Sequence, residues 1–391
     1  YVLKSTNRGK KWTLISGNIP DRTLVWRLVQ DHVDPNLLFL ATEFGIYFTQ
    51  NGGDSWIELT GGVPTISFRD LTIQRRENDL VAASFGRSFF VLDDISPLRQ
   101  ISKETLAAGA YCFDIKDALW YRPRSLVSSQ GTGKYTAENP PFGAVFTYYL
   151  KEDIKTLKQL RRKKEKELAK AGKDIPFPGW DALEKERRQE KPQIILTIKD
   201  ENGKLVNKVV GKNKAGINRV SWNLMYASKD GIQLPTSIGQ GNLGNGGRGL
   251  MSTPGTYTVT LSKVVDGQVI DLTEPKSFKV KPLREGALPT ASSKDIIAFR
   301  EDLQAFQQEV TATATTLKKS MAKVGAMYTA LSRISEENQA IFTQLYKAKQ
   351  QLLDLDMKLN GDRTKGEIGE RSAPTPRSRM FVGMRALSST Y

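Results

Sequence analysis

One cysteine and one histidine stand among 391 residues. The single thiol, Cys112, excludes an intramolecular disulfide and any cysteine-rich zinc site, and it leaves the redox compartment open. It reads as a small buried apolar residue rather than a reactive one. His32, in the loop from Asp31 to Asn36, is the sole candidate for a hydrolytic triad or a histidine-bound zinc, and its place in a short polar loop reads as structural. Neither a metal nor a cofactor is expected. No run of about 18 apolar residues occurs, so no transmembrane helix is expected. No basic, apolar, small-residue leader follows Tyr1, so a signal peptide is absent or lies upstream.

What the chain has is length enough for two to four domains of ordinary soluble composition. Its net charge of +16 invites a nucleic-acid reading. The excess is spread, however: residues 151–191 carry 14 Lys/Arg against 9 Asp/Glu, and residues 201–288 carry 12 against 6. No cluster or nucleic-acid motif stands out, which favours solubility or attraction to an acidic envelope surface.

The N-terminus repeats itself. Residues 5–12 and 49–56 share the pattern Ser/Thr-x-Asn-x-Gly-x-x-Trp, on Ser5, Asn7, Gly9 and Trp12 and again on Thr49, Asn51, Gly53 and Trp56, with the tryptophans 44 residues apart. A second feature recurs out of phase, Phe44-Gly45 returning as Phe85-Gly86 after 41 residues. Interleaved repeats at one period imply stacked copies of one unit. Glycine supplies positive φ in each turn, the hydroxyl and amide side chains tie it to its own backbone, and the tryptophan is expected to pack inward at equivalent positions.

These turns resemble the Asp-box, or BNR, repeat of β-propellers. The run from Asp34-Pro35-Asn36 through Glu43-Phe44-Gly45, the second turn, Gly61 to Pro64, Arg69-Asp70-Leu71, Gly86-Arg87 and Val91 to Ile95 is similar to the closing blades of sortilin-type propellers. Bacterial relatives of that group often carry a glycosyl hydrolase label. Both turns depart from the family pattern in having Asn7 and Asn51 where aspartate is usual. About two blades cannot close a ring, so the resemblance implies further blades upstream. Asp-box residues are structural in such propellers and specify fold without chemistry.

Residues 99–142, with Trp120, Tyr121, Arg122, Pro123 and Arg124, read as an irregular strap. From Gly143 to residue 285 short alternating strands spaced by turns argue for a β-sandwich, interrupted at 151–190 by a charged helical insertion that breaks between Ile175 and Trp180. Trp222 and Tyr257 are expected in one core. The pattern from Gly216 to Trp222-Asn223, with Pro254-Gly255-x-Tyr257, resembles the Ig-like module of flagellar hook-capping proteins. Gly239, Gly241 and Gly244 match a dinucleotide fingerprint, but strands and turns surround it where a helix is needed, so it reads as a glycine-rich loop.

After a cap at Ser292 to Asp295, apolar residues at Ile296, Phe299, Leu303, Phe306, Val310, Thr313 and Leu317 mark one helix. Leu331, Ile334, Ile341, Leu345, Leu352, Leu355 and Leu359 mark a second. The expected packing is an antiparallel hairpin over 286–391, turning between Val324 and Glu336, with the chain reading as cut short at Tyr391.

The fold class is therefore mainly β with an α-helical C-terminus: last blades of a propeller at 1–98, the strap, an Ig-like sandwich at 143–285, and the hairpin. The resemblance implies an extracytoplasmic location, in the periplasm, at the cell surface or secreted. It also implies a non-catalytic binding or scaffold role toward protein or peptide partners in an envelope or secretion complex. The alternative is an Asp-box glycoside hydrolase acting on carbohydrate, which needs two carboxylates across one bond. Within this sequence Glu43, Asp70, Asp93 and Asp94 are the carboxylates to test, though turn and strand-end hydrogen bonding is the favoured account of all four and no catalytic residue is expected. No nucleic-acid partner is expected.

Overall fold

The computed structural model describes residues 1–123, 137–228, 249–284, 291–334, 338–371 and 373–389. The glycine-rich fingerprint at Gly239 to Gly244, Arg124 of the strap, and Glu336 lie outside the described residues. Up to Pro282 the chain is mainly β, and from Ser293 it is helical.

Three small antiparallel sheets come first. A pair, β1 (Leu3–Lys4) with β2 (Thr13–Leu14), is followed by a meander of β3 (Val25–Gln30), β4 (Leu38–Thr42), β5 (Gly45–Thr49) and β6 (Ile57–Glu58). A second meander holds β7 (Phe68–Gln74), β8 (Asp79–Ser84) and β9 (Phe89–Leu92). All five residues of β4 are buried, so its two faces serve two cores. Leu37, Phe39 and Ala41 pack with Phe68, Leu71, Leu80 and Ala82, while Leu38 and Leu40 pack with Val2, Ile15 and Trp56. The middle sheet is thus sandwiched between the other two, which is how a strand buried on both faces loses polar alternation.

The two repeated turns close alike. Gly9 N–H donates to Ser5 Oγ at 2.8 Å and Lys11 N–H to Asn7 Oδ1 at 2.8 Å. In the second copy Gly53 N–H donates to Thr49 Oγ1 at 3.2 Å and Ser55 N–H to Asn51 Oδ1 at 3.0 Å. Arg8 and Gly9 in one, Gly52 and Gly53 in the other, take positive φ. The tryptophans part company: Trp56 is 3% exposed and Trp12 58%. Trp56 Nε1 donates to Ile15 O at 2.6 Å beneath Val2 and Ile15 of the preceding sheet, and no described residue covers Trp12 in that way, so the expectation that both pack inward is corrected for Trp12.

After a 3-10 turn (Ser96–Gln100) and α1 (Lys103–Ala107), two further sheets face each other. One runs β10 (Ala110–Cys112), β12 (Ala144–Leu150), β15 (Gly216–Trp222). The other runs β11 (Ala118–Trp120), β18 (Lys276–Pro282), β16 (Gly255–Val265), β13 (Gln193–Asp200), β14 (Leu205–Gly211), with β17 (Gln268–Asp271) on β16. Phe146 and Tyr148 of β12, Leu196 of β13, Tyr257 of β16 and Phe278 of β18 share their core with Trp222. Trp222 and Tyr257 rings lie 5.3 Å apart, both buried. The strap is not irregular throughout: β10 and β11 within it join one sheet each, and β11 pairs with β18 in parallel.

The helical insertion forms α2 (Leu157–Lys170) and α3 (Trp180–Arg188). At the C-terminus α4 (Ser293–Leu331), capped by Ser292 Oγ accepting from Asp295 N–H, packs on α5 (Gln339–Asn360). Beyond α6 (Arg363–Glu367), α7 (Pro376–Ser389) adds Met380 to the same core, so the expected hairpin has a third member. The seam also differs from the expected one. Leu303, Val310 and Leu317 are buried, but Phe299, Thr313, Ile334, Ile341 and Leu355 are exposed.

Candidate functional site

Two strand irregularities repeat like the turns do. The register between β3 and β4 slips between Val25 and Arg27, and that between β7 and β8 slips between Phe68 and Asp70. Trp26 and Arg69 are therefore the extra, unpaired residues of equivalent bulges, devices that re-aim a side chain. The hairpin tips opposite them correspond too: Glu43 N–H donates to Leu24 O at 3.0 Å and Phe85 N–H to Ser67 O at 2.9 Å. Glu43 thus matches Phe85, although aligning the two Phe-Gly pairs in sequence sets Phe44 against Phe85. The second tip is one residue longer, closing from Ser84 to Ser88.

The bulges bring these residues together across two sheets. The Arg69 guanidinium lies 3.7 Å from the Trp26 ring centre and 5.0 Å from that of Phe85, a cation held between two aromatics. Its Nε is buried and has no hydrogen-bond partner among the described residues. Trp26 Nε1 donates to Glu43 Oε2 at 3.0 Å, and Arg27 Nε pairs with Asp70 Oδ1 at 3.2 Å. Trp26, Phe44 and Phe85 remain exposed, so the ensemble is an apolar and charged surface rather than a pit. A groove of about 530 Å³ lies between helices, lined by Thr313, Leu317, Leu352, Leu355 and Leu359, with Lys358 the titratable side chain among its described lining residues.

The four candidate carboxylates divide. Glu43 and Asp70 belong to this surface. Asp93 and Asp94 follow β9 at the other end of its sheet, four residues of strand away or about 13 Å from the Asp70 end. Burial and the neighbouring Asp79 carboxylate push Asp93 up, against the pull of Arg219 and Lys116. Asp94 Oδ1 accepts from Ser96 N–H at 3.1 Å and from its hydroxyl at 2.6 Å. The backbone carbonyls of both aspartates accept from Arg219 of β15, at 2.6 and 2.9 Å. That end of the sheet is a joint between layers.

Sequence reasoning passed over Trp26 and Arg27 and took Arg69 only as part of the propeller-like run, since a bulge leaves no mark in hydrophobic spacing. The recurrence of the β3 and β7 starts 43 residues apart was the available signal. It also passed over Asp31, whose carboxylate has no exposed side-chain surface and takes both Arg99 Nε, at 2.7 Å, and Arg99 Nη2, at 2.9 Å. Burial alone would raise the Asp31 carboxyl. Arg99, with the amides of Asp34 and Val33, instead holds it below the usual aspartate value. His32 Nδ1 sits 3.4 Å from Asp31 Oδ1 on the flank of this pair. Cys112 is buried, and its thiol is pushed up to about 11 by burial. Among the described residues no group of three or more His, Cys, Asp or Glu side chains is placed to hold a metal.

No protein-family model matches the chain, and no curated protein matches it. Among solved structures, two similar chains are extracellular domains of a B. thetaiotaomicron protein, described once as a one component system and once as a hybrid two component system. Both are 12% identical, with TM-scores of 0.20 and 0.19, over 72% and 71% of this chain. The chain spans 28% of the length of each. At such a TM-score the likeness fixes neither fold nor function.

Proposed function

We propose that this chain is a non-catalytic, extracytoplasmic binding or scaffold protein whose N-terminal sheets are blades of an Asp-box propeller and whose facing sheets form an Ig-like brace. In this reading the surface around Trp26, Arg69 and Phe85 takes a protein or peptide partner. The observation that carries it is the cation held between two exposed rings, with an ion pair beside it and an open aromatic, Phe44, at its rim. Exposed aromatics with arginine are the composition of interface hot spots. Domain limits near residues 98 and 142 belong to the same proposal.

The glycoside hydrolase reading gains less support. Its candidate carboxylates are split between two places, Glu43 and Asp70 at the Trp26–Arg69 surface and Asp93 and Asp94 about 13 Å away along the second meander. Three of the four are engaged: Glu43 by the Trp26 indole N–H, Asp70 by Arg27, and Asp94 by the Ser96 N–H and hydroxyl. The experiment is binding of the chain to a peptide array and a glycan panel, beside turnover on the same glycans. Trp26→Ala with Arg69→Ala should remove peptide binding while the fold, read by circular dichroism, is kept. Glycan turnover abolished by Glu43→Gln or Asp70→Asn would replace the binding reading with the enzymatic one.

A further inference from the structure

The excursion between β12 and β13 leaves the sheets altogether. No residue of α2 or α3 is buried. Arg161 fastens the two helices to each other, its Nε and Nη2 on Glu186 at 2.6 and 2.9 Å and its Nη1 on Glu165 at 2.6 Å. At the root Gln189 accepts from Leu157 N–H at 2.7 Å and donates to Asp266 at 3.2 Å. The result is a braced arm whose far end is the loop from Ala171 to Gly179.

That loop is apolar where a solvated tip should be polar. Ile175, Phe177 and Trp180 are 50%, 61% and 78% exposed. Phe177 stands between Pro176 and Pro178, which restrict the backbone on both sides of it. Its ring meets Trp180 edge to face at 5.1 Å, so the two aromatics form one preset wedge. Lys170 and Lys173 adjoin the wedge, with Lys164 and Lys166 further down α2 and Lys185 on α3. All five are exposed and form no ion pair among the described residues. Asp174 and Asp181 are the acids at the tip itself.

We propose that this arm docks on an anionic lipid bilayer surface, the wedge entering the headgroup layer and the lysines meeting the lipid phosphates. Trp and Phe settle at that depth, lysine stems lie along apolar surface while their ammonium groups reach charge, and polybasic sites add to binding within a Debye length. A nucleic-acid strand is a poorer fit, because it asks for a groove that tracks phosphates and rings open for stacking. Here the two rings pack on one another and the lysines stand around a projecting tip. The inference does not depend on the propeller reading.

The test is co-flotation of the full chain with vesicles of phosphatidylcholine alone and of phosphatidylcholine mixed with phosphatidylglycerol, at low and high salt. The mixed vesicles should bind it roughly tenfold or more tightly, and salt should erase the preference. Lys170→Glu with Lys173→Glu should weaken binding to the mixed vesicles by roughly thirtyfold or more, the loss of two surface lysines. Phe177→Ser with Trp180→Ser should remove flotation from both vesicles while the melting temperature is unchanged, since these side chains support no core. Brominated acyl chains should quench tryptophan emission in the wild type and not in Trp180→Phe. No flotation, equal flotation on both vesicles, or flotation indifferent to the tip variants overturns the proposal. So does loss of single-stranded DNA binding in the same variants with vesicle binding intact.

Discussion

Asp31 keeps its charge without exposed surface because Arg99 grips both of its oxygens and Asn78 Oδ1 takes a further bond from Arg99 Nη2 at 2.7 Å. Asp31→Asn leaves that guanidinium buried against a neutral amide, and the expected loss is on the order of 3–5 kcal/mol in denaturant melts. The pH dependence has a definite sign. A carboxyl held below its unfolded value of about 3.9 contributes stability above that pH, and the contribution is lost as pH falls through the lower folded value. Wild type should therefore lose more stability than Asp31→Asn on acidification from about pH 4 downward. An equal loss in both would mean the pair is not the acid-labile element. Cys112 gives a second expectation: with its thiol pushed up to about 11 and its side chain enclosed, a thiol reagent should label it only after unfolding. At this scale the sequence was legible where a residue type is rare, as with Cys112 and His32. Asp31 escaped notice because its partner stands 68 residues away and nothing local marks the pairing.

The elements most legible in advance were those whose pattern is internal to them. The strands β12, β13 and β16 alternate or run apolar over much of their length, β15 is marked by Gly216 and Trp222 at its ends, and each was readable. Three-residue strands such as β10 and β11 carry too little pattern, and their partners are remote. The helical seam was misread for a different reason: the spacing of the large apolar residues set the register, placing Ile341 and Leu355 inside. The observed inward face of α5 instead runs through Leu345, Ala348, Leu352 and Leu359. Two element-level changes have definite outcomes. Trp222→Ala should cost roughly 3–5 kcal/mol, because its indole fills the space between the facing sheets beside Tyr257 and Phe278. Gly143→Ala should destabilise the start of β12, since a Cβ there would lie 1.9 Å from Trp222 O at a φ of +104°. A melting temperature unchanged by either substitution would contradict the packing described.

Across the whole molecule, the N-terminal stack is joined to the facing sheets by Arg219 on the carbonyls of Asp93 and Asp94, and by Lys116 on Glu77. Arg219→Met should loosen that joint and split one calorimetric transition into two, whereas a single transition at lower temperature would mean that other contacts suffice. Long-range joints of this kind were invisible in the sequence, because they use one side chain and a neighbour's backbone. The parallel pairing of β11 with β18, which sets Ala118 against Val280, bears on how the chain comes off the ribosome. Strands β3 to β9 find partners among near neighbours, so that stack can close early. β11 must wait for about 160 further residues, some 8–30 s at ordinary elongation rates. For that interval a nascent chain carries a finished stack beside an open sheet edge, the kind of surface that holding chaperones engage and that a pause in synthesis would leave exposed longest.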